Sequence, residues 1–362
     1  MTERNKTEKQ LTVQINKSNC SLETKERKQK FDEARAKGIE DKYQEYRSQW
    51  SENPKNQVVS GYPLNVDVEL STACNLRCPM CPMHSESAVN KVQQKKFMDV
   101  NLFKKIVDEL TANNVPALRL NYRGESTLHP QFEELVKYAK EKGIIDLNMT
   151  CNGSRFIDND QFIEDVIPYM DWITFSVDGI YETFESVRKP LKFHKIVEMI
   201  KQIQEFKKKN NLVRPVIKIQ SCWPKIKDTY EEYYNIFSEI ADSVDFGIER
   251  EDTPGWSDNF EMENNYVCSK PYQSLIITVD GRAIPCCVDQ NISFEVGDAN
   301  NQSIKEIWTE SKMQLLRRSF DNKNYIKLCR DCVMLRKHAE PEELTIGGRK
   351  VYVSTEYKRK ND

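Results

Sequence analysis

Three of the eleven cysteines in this chain lie close together in the sequence. Cys74, Cys78 and Cys81 form a CxxxCxxC segment, and three thiolates at this spacing can bind one side of an iron–sulfur cluster. The fourth iron of a cubic cluster then stays open for a substrate or cofactor, as in a catalytic metal centre. The alternative is a zinc site with a remote fourth ligand such as His84, although zinc more commonly uses paired CxxC segments. The spacing therefore favours a cluster with one open iron.

A second group of cysteines lies in the last third of the chain. Cys268 and Cys286 flank a predicted β-hairpin, and Cys329 and Cys332 form a CxxC pair after a predicted helix. Four such thiolates can close a structural zinc tetrahedron or a fully ligated iron–sulfur cluster. Cys287 could replace Cys286 as a ligand, and the sequence leaves both choices open.

The composition excludes several classes of protein. The net charge of −2 gives no general attraction for nucleic acid or anionic lipid. No apolar run approaches the roughly 20 residues of a membrane-spanning helix, and the first ten residues lack the apolar core of a signal peptide. We therefore expect a cytoplasmic protein whose thiols serve metal binding or catalysis rather than disulfides.

Alternating strands and helices position the first cysteine group. The predicted strands are 65–70, 117–123, 146–151, 172–177, 215–223 and 244–248. The predicted helices between them are one capped by Asp99 and those at 130–142, 159–169, 190–209 and 229–241. This order predicts a parallel α/β sheet, and six units in a row predict a partial (β/α)6 barrel that resembles a TIM barrel. Functional side chains of such barrels lie at the carboxyl ends of the strands.

Four regions are expected along the chain. Residues 1–60 form a charged helical leader that is disordered up to about residue 22, and residues 61–262 form the barrel. Residues 263–340 form a small cluster-binding domain built from a β-hairpin and a helix over 303–320, and residues 341–362 form a polar tail.

The motifs at the strand ends resemble those of the radical S-adenosylmethionine (SAM) enzymes. In that family CxxxCxxC follows the first barrel strand, as it does here. Four further segments are similar to the cofactor-binding motifs of the family, namely Arg123–Ser126 (RGES), Thr150–Gly153 (TCNG), Ser176–Gly179 (SVDG) and Glu185–Arg188 (ESVR). The resemblance covers residues 64–250. Arg123 and Ser126 depart from the family pattern, which has Gly and Pro at these positions.

The resemblance implies a 4Fe–4S cluster on Cys74, Cys78 and Cys81 whose open iron binds SAM. It also implies SAM contacts from the RGES, TCNG and SVDG segments, with Glu125 near the amino group and Arg188 on the carboxylate. The implied SAM-binding residues are Met80, Gly124, Glu125, Asn152, Ser176 and Arg188. Met80 stands where relatives often carry an aromatic residue beside the adenine.

The second cysteine group resembles the SPASM or twitch extension of the same family, which binds auxiliary iron–sulfur clusters. The fuller SPASM pattern has seven cysteines and two clusters, but here His338 stands near the place of a further cysteine, and none follows it. We therefore expect one auxiliary 4Fe–4S cluster, with ligands Cys268, Cys286, Cys329 and Cys332.

The implied activity is reductive cleavage of SAM to a 5′-deoxyadenosyl radical that removes a carbon-bound hydrogen from substrate. A flavodoxin- or ferredoxin-type donor supplies the electron. By analogy we expect a small polar substrate, such as a sugar, aminosugar or sugar nucleotide. If Cys222, at the end of the fifth strand, returns a hydrogen atom, the result is epimerisation; otherwise the result is dehydrogenation of an alcohol. Cys222 can also be read as a strand thiol that only packs in the core.

Two other functions stay open. One is peptide or protein modification, as in sulfatase-maturing relatives, and the other is a zinc-ribbon interaction protein without catalysis. Cys151 is a weaker candidate for a hydrogen donor than Cys222. Glu249 and Arg250 follow the sixth strand, where they either reach substrate or form a solvated charge pair.

Overall fold

A computed structural model describes residues 19–83, 96–248, 259–263, 266–330 and 332–360. The expectations for His84, Glu249 and Arg250, and for most of the predicted disordered leader, lie outside these ranges. Within the described ranges no helix is both long and apolar enough to cross a bilayer.

The described strands are β1 (Asn19–Ser21), β2 (Asn65–Val68), β3 (Ala117–Leu120), β4 (Asp146–Cys151), β5 (Trp172–Ser176), β6 (Val216–Cys222), β7 (Ser243–Gly247), β8 (Ser274–Ile277), β9 (Arg282–Ile284), β10 (Gly297–Asp298), β11 (Glu342–Ile346) and β12 (Arg349–Val353). The described α-helices are α1 (Lys25–Ala36), α2 (Glu40–Lys55), α3 (Val100–Ala112), α4 (Phe132–Glu141), α5 (Asp160–Val166), α6 (Tyr181–Val187), α7 (Phe193–Lys209), α8 (Tyr230–Ser238), α9 (Lys270–Gln273), α10 (Ile304–Thr309), α11 (Ser311–Asp321) and α12 (Lys327–Arg330).

Strands β2 to β7 form the predicted parallel barrel. They pair in sequential order, each parallel to the next. In the described sheet β2 also pairs with β8, and β7 also pairs with β1, so the sheet does not close on itself and the barrel is partial. The sequence prediction of a partial (β/α)6 barrel is confirmed.

The helices between these strands form for the reasons that the sequence suggests. The side chain of Asp99 accepts hydrogen bonds from the N–H groups of Asn101 and Leu102 and so caps α3. Phe103 and Ile106 are among the buried residues of this helix, which recur at helical spacing. The predicted helix over 190–209 begins three residues later, at Phe193. The short helix α6 was not predicted.

The predicted hairpin is present as β8 and β9, with Gly281 in its turn at φ +89°. Strand β8 pairs in parallel with β2, from Asn65 opposite Ser274 to Val68 opposite Ile277. The hairpin therefore extends the barrel sheet. The single helix predicted over 303–320 is wrong, because Glu310 is extended (φ −60°, ψ 156°) and divides it into α10 and α11.

The leader packs across the amino-terminal end of the barrel. The leader is helical, as the sequence predicts, and contains α1 and α2. Arg35 of α1 pairs with Asp146 of β4 at 2.6 Å. The expectation of disorder is wrong for residues 19–22, because β1 pairs antiparallel with β7 and Leu22 is fully buried. Side chains of the leader and the strands enclose a polar cavity of about 330 Å³ at this end.

The expectation of a polar tail is also wrong. Strands β11 and β12 form a hairpin that contacts α8, and its turn contains Gly347 and Gly348 at positive φ. Leu344, Ile346 and Val353 are buried in the main hydrophobic core. The sequence did not predict this hairpin because each of its strands begins with two charged residues and has only a few apolar ones.

Candidate active site at the carboxyl ends of the barrel strands

The CxxxCxxC loop follows β2 at the carboxyl edge of the sheet. Cys74 and Cys81 are half-buried and Cys78 is 7% exposed. The Cys81 N–H donates to the Cys78 carbonyl at 3.0 Å, and the Cys74 thiol lies within electrostatic reach of both other thiols. Burial raises the pKa of Cys74 to about 11, and burial also raises the pKa of Cys78 and Cys81. Positively charged iron bound by the thiolates would offset this penalty, so the loop fits a cluster.

The segment after β3 lies directly against the start of this loop. Gly124 has φ +59°, and a Cβ atom there would lie 2.3 Å from the Ser71 carbonyl oxygen. The Glu125 N–H donates to the Ala73 carbonyl at 2.7 Å, one residue before Cys74. Only glycine permits this close approach, because any side chain would push the two segments apart.

Glu125 is a buried carboxylate with both oxygens hydrogen-bonded. Its Oε2 accepts from the Asn152 N–H at 2.8 Å, and its Oε1 accepts from the Thr127 hydroxyl at 2.7 Å. Burial raises the pKa of Glu125, and these hydrogen bonds oppose the increase. The structure thus brings together two residues that the sequence predicted separately.

Asn152 also contacts the cysteine loop itself. Its Nδ2 donates to Asn75 Oδ1 at 2.8 Å, and Asn75 Nδ2 donates to the Ser154 hydroxyl at 2.8 Å. Asn75 lies between the first two cysteines, so the loop after β4 holds the CxxxCxxC loop through side-chain amides.

The ends of β5 and β6 meet at Asp178, which the sequence reading did not single out. Its Oδ2 accepts from Arg188 Nε at 2.6 Å and also pairs with Nη2 of the same residue. Its Oδ1 accepts from the Cys222 N–H at 2.9 Å. Arg188 lies within electrostatic reach of Cys78 and Cys222. The sequence feature that could have identified Asp178 is its place in the SVDG segment, where an acidic residue stands ten positions before the predicted Arg188.

Strand alternation places the side chain of Cys222 on the inner face of the barrel. Lys218 belongs to the same strand and lines the cavity inside the barrel, where it pairs with Asp245. Because alternate residues of a strand share a face, Cys222 faces the barrel mouth. Cys151 lies on the opposite face of β4 from the cavity-lining Asn148 and is 2% exposed in the hydrophobic core. This placement argues against Cys151 as a hydrogen donor.

Ser176 and Met80 are the two remaining residues with predicted SAM contacts. Ser176 is the last residue of β5 and is half-buried, and Met80 is half-buried between Cys78 and Cys81. Their predicted SAM contacts stay predictions.

The second cysteine group surrounds an apolar cavity. Cys329 lies within electrostatic reach of Cys268, Cys286 and Cys332, while Cys287 also lines the cavity. Burial raises the pKa of Cys268 and Cys286 to about 12. The apolar side chains that complete the wall are Phe320, Leu328, Met334 and Leu335. Cys286 and Cys287 both line this cavity, so the choice of Cys286 as the fourth ligand stays a prediction.

A partial barrel with a three-cysteine loop, a buried glutamate and a partly buried arginine at its carboxyl edge is typical of an iron–sulfur enzyme. The comparison with family models agrees with this class. The radical SAM superfamily matches residues 68–232, and the SPASM iron–sulfur cluster-binding domain matches residues 268–333. The chain thus carries a radical SAM domain and a C-terminal SPASM domain. These domains imply SAM, a SAM-binding 4Fe–4S cluster and auxiliary iron–sulfur binding.

Similar proteins and structures differ in what they modify. The chain is 24% identical over 322 residues to the tungsten-containing aldehyde ferredoxin oxidoreductase cofactor-modifying protein of Pyrococcus furiosus, covering 73% of this chain and 86% of that protein. It is 29% identical over 134 residues to the S-adenosylmethionine-dependent nucleotide dehydratase of Flammeovirga pacifica, covering 36% of this chain and 45% of the relative. The match thus spans less than half the length of that second relative.

Solved structures share the fold. SuiB of Streptococcus suis bound to S-adenosylmethionine has a TM-score of 0.52 and 14% identity, covering 80% of this chain and 76% of SuiB. The structure of anSMEcpe with bound AdoMet has a TM-score of 0.51 and 16% identity, covering 75% and 88%.

Proposed function

We propose that this protein binds SAM on a 4Fe–4S cluster held by Cys74, Cys78 and Cys81 and removes a hydrogen atom from a small polar substrate. The observation that carries this proposal is the convergence of the cysteine loop, Glu125 and Arg188 at the carboxyl edge of the barrel. When bound there, the reduced cluster and SAM supply the hydrogen-atom abstraction.

The residues of the chain bind and orient SAM. Oδ2 of Asp178 accepts from Nε and pairs with Nη2 of Arg188. The N–H groups of Nη1 and the second N–H of Nη2 can then donate to the SAM carboxylate. Oε1 of Glu125 accepts from the hydroxyl and the N–H of Thr127, whereas Oε2 accepts only from the Asn152 N–H, so Oε2 has a second lone pair that can accept from the SAM amino group. Asn152 holds the cysteine loop in place through Asn75.

The second cysteine group holds one auxiliary 4Fe–4S cluster through Cys268, Cys286, Cys329 and Cys332. Four thiolates leave no iron open, and the wall of the cavity is mostly apolar apart from Tyr266 and Lys270. This cluster serves in electron transfer or in structure rather than in substrate binding.

Cys222 is the proposed hydrogen donor. Its place on the inner face of β6, beside Arg188, supports return of a hydrogen atom to the substrate from the barrel mouth. The net reaction is then epimerisation, whereas dehydrogenation would require the substrate radical to lose a proton and also an electron, which the auxiliary cluster would accept. The match over most of the chain to a cofactor-modifying protein supports a small-molecule substrate over a peptide. A flavodoxin- or ferredoxin-type protein supplies the electron.

Turnover in deuterated water tests this proposal. The anaerobically reconstituted protein is incubated with SAM, a reductant and panels of sugars, aminosugars, sugar nucleotides and peptides, and the products are analysed by mass spectrometry. We expect a sugar-type product with deuterium at carbon, because the thiol hydrogen exchanges with solvent. Loss of two hydrogen atoms from the product shows dehydrogenation, and reaction of peptides alone contradicts the substrate class.

A matched pair of variants tests the donor. We expect Cys222→Ala to lose deuterium incorporation while it still forms 5′-deoxyadenosine. Cys20→Ala is the control, because Cys20 belongs to neither cysteine group and donates to the Ser354 carbonyl. Unchanged deuterium incorporation in Cys222→Ala places the donor elsewhere.

A further inference from the structure

We infer that Asp178 is a positioning residue that fixes Arg188 and Cys222 relative to each other. This inference rests on the proposed function, because it gives the two partners of Asp178 their roles. Asp178 is 1% exposed and lies two residues beyond the end of β5. Arg188 and Cys222 come from different elements, and this one carboxylate contacts both.

The two oxygens of Asp178 are divided between the two partners. Oδ2 accepts from Arg188 Nε at 2.6 Å and pairs with Nη2. Oδ1 accepts from the backbone N–H of Cys222 at 2.9 Å. A planar carboxylate with both oxygens engaged has little rotational freedom, so each contact restrains the other.

The consequence for Arg188 is a fixed orientation. A guanidinium is a rigid fork with five N–H donors, and Asp178 holds one edge of it. The other edge of the guanidinium can then bind the SAM carboxylate, and Arg188 lies within electrostatic reach of Cys78. Without Asp178 the arginine would be a partly buried cation without this partner, and it would rotate or attract water.

The consequence for Cys222 is a fixed strand end. The neighbouring Val177 N–H donates to the Gln220 carbonyl, and the Tyr233 hydroxyl donates to the Val177 carbonyl, both at 2.9 Å. Together with Asp178 these contacts bind the end of β6 to the segment after β5. The direction of the Cys222 side chain is thereby set relative to Arg188, and hence relative to SAM.

The chain offers a control of the same kind at the opposite end of β5. Asp171 is also 1% exposed and directly precedes this strand. Its carboxylate pairs with Lys140 and Arg214, and its Oδ2 accepts from the Leu147 N–H at 2.8 Å. Both aspartates are therefore buried, ion-paired and bonded to a backbone N–H, but only Asp178 lies at the barrel mouth.

Two substitutions separate the two contacts of Asp178. Asp178→Asn keeps an oxygen for the Cys222 N–H and loses the charge that holds Arg188. We expect its Kd for SAM, measured by calorimetry on the reconstituted protein, to rise about tenfold, which corresponds to about 1.4 kcal/mol. Deuterium incorporated per 5′-deoxyadenosine should stay unchanged. Asp178→Ala loses both contacts, so we expect weaker SAM binding together with less deuterium per 5′-deoxyadenosine.

Asp171→Asn should lower the melting temperature, because it weakens a buried ion pair, and leave the Kd for SAM unchanged. A wild-type Kd in Asp178→Asn, or an equal loss of SAM affinity in Asp171→Asn, would overturn the inference. Failure of the wild-type protein to bind SAM or form 5′-deoxyadenosine would instead remove the proposed function, so the two failures are distinguishable.

Discussion

The two cysteine groups lie in opposite kinds of surroundings. Cys74, Cys78 and Cys81 belong to one loop bordered by a carboxylate, amides and a guanidinium. The cysteines of the second group come from separate segments around the hairpin and α12, and their cavity has mostly apolar walls. Three thiols with polar neighbours suit a cluster that accepts a polar ligand, whereas four thiols with apolar neighbours suit a cluster that accepts none. In each group, the polarity of the surrounding side chains thus agrees with the number of thiols.

A buried ion pair joins the two regions. Arg123 Nε and Nη2 donate to the two carboxylate oxygens of Glu69 at 2.7 and 2.9 Å, and Glu69 Oε2 also accepts from the Val279 N–H in the hairpin turn. The Tyr122 hydroxyl donates to the Asp289 carbonyl, close to Cys286 in the chain. Arg123 departs from the family's glycine, and this contact gives the departure a structural role.

The largest expected effect follows from removal of a thiol from the first group. Cys78→Ala should abolish formation of 5′-deoxyadenosine, because the SAM-binding cluster has only three protein ligands and loses one of them. Anaerobic assays followed by chromatography measure this loss. Iron analysis should still find about four iron atoms per chain, held by the second group. Retained SAM cleavage would contradict the roles given to the two groups.

The next effect concerns the second group. Cys329→Ala should lose about four iron atoms per chain while the protein still binds SAM, since Cys329 lies near the other three thiols. Cys287→Ala is the matched control, because Cys287 lines the same cavity and should leave the iron content unchanged. If Cys287→Ala loses this iron, Cys287 rather than Cys286 is the ligand of the auxiliary cluster.

The smallest effect concerns the junction between the regions. Arg123→Met should lower the free energy of unfolding by about 3 kcal/mol, because it leaves Glu69 as a buried charge without its partner. Urea denaturation under anaerobic conditions measures the change. Arg155→Met is the control, since Arg155 pairs with Glu133 near the surface, where such a pair contributes less than about 1 kcal/mol. Equal losses in both variants would show that the junction adds no stability of its own.

The sequence predicts the barrel because each of its six strands, and each helix except the short α6, carries its own local signal. Buried strand patterns and the Asp99 cap locate the elements, and the motifs at the strand ends are brought together by parallel pairing alone. The strand Asn19–Ser21 has no such signal, since its three residues become a strand only by pairing with the free edge of β7.

The missed features of the site depend on contacts between distant segments. Asp178 acquires its role only when Arg188 and the end of β6 approach it in space. The distinction between Cys286 and Cys287 similarly depends on which thiol lies near Cys329. Neighbouring residues in sequence carry no information about that distance.

Electron paramagnetic resonance of two single-cluster variants tests the division between the cysteine groups most directly. Spectra of reduced Cys329→Ala and Cys78→Ala proteins are recorded with and without SAM. SAM should change the spectrum of Cys329→Ala, whose remaining cluster has an open iron, and leave that of Cys78→Ala unchanged. A SAM-dependent change in Cys78→Ala, together with none in Cys329→Ala, would contradict the account.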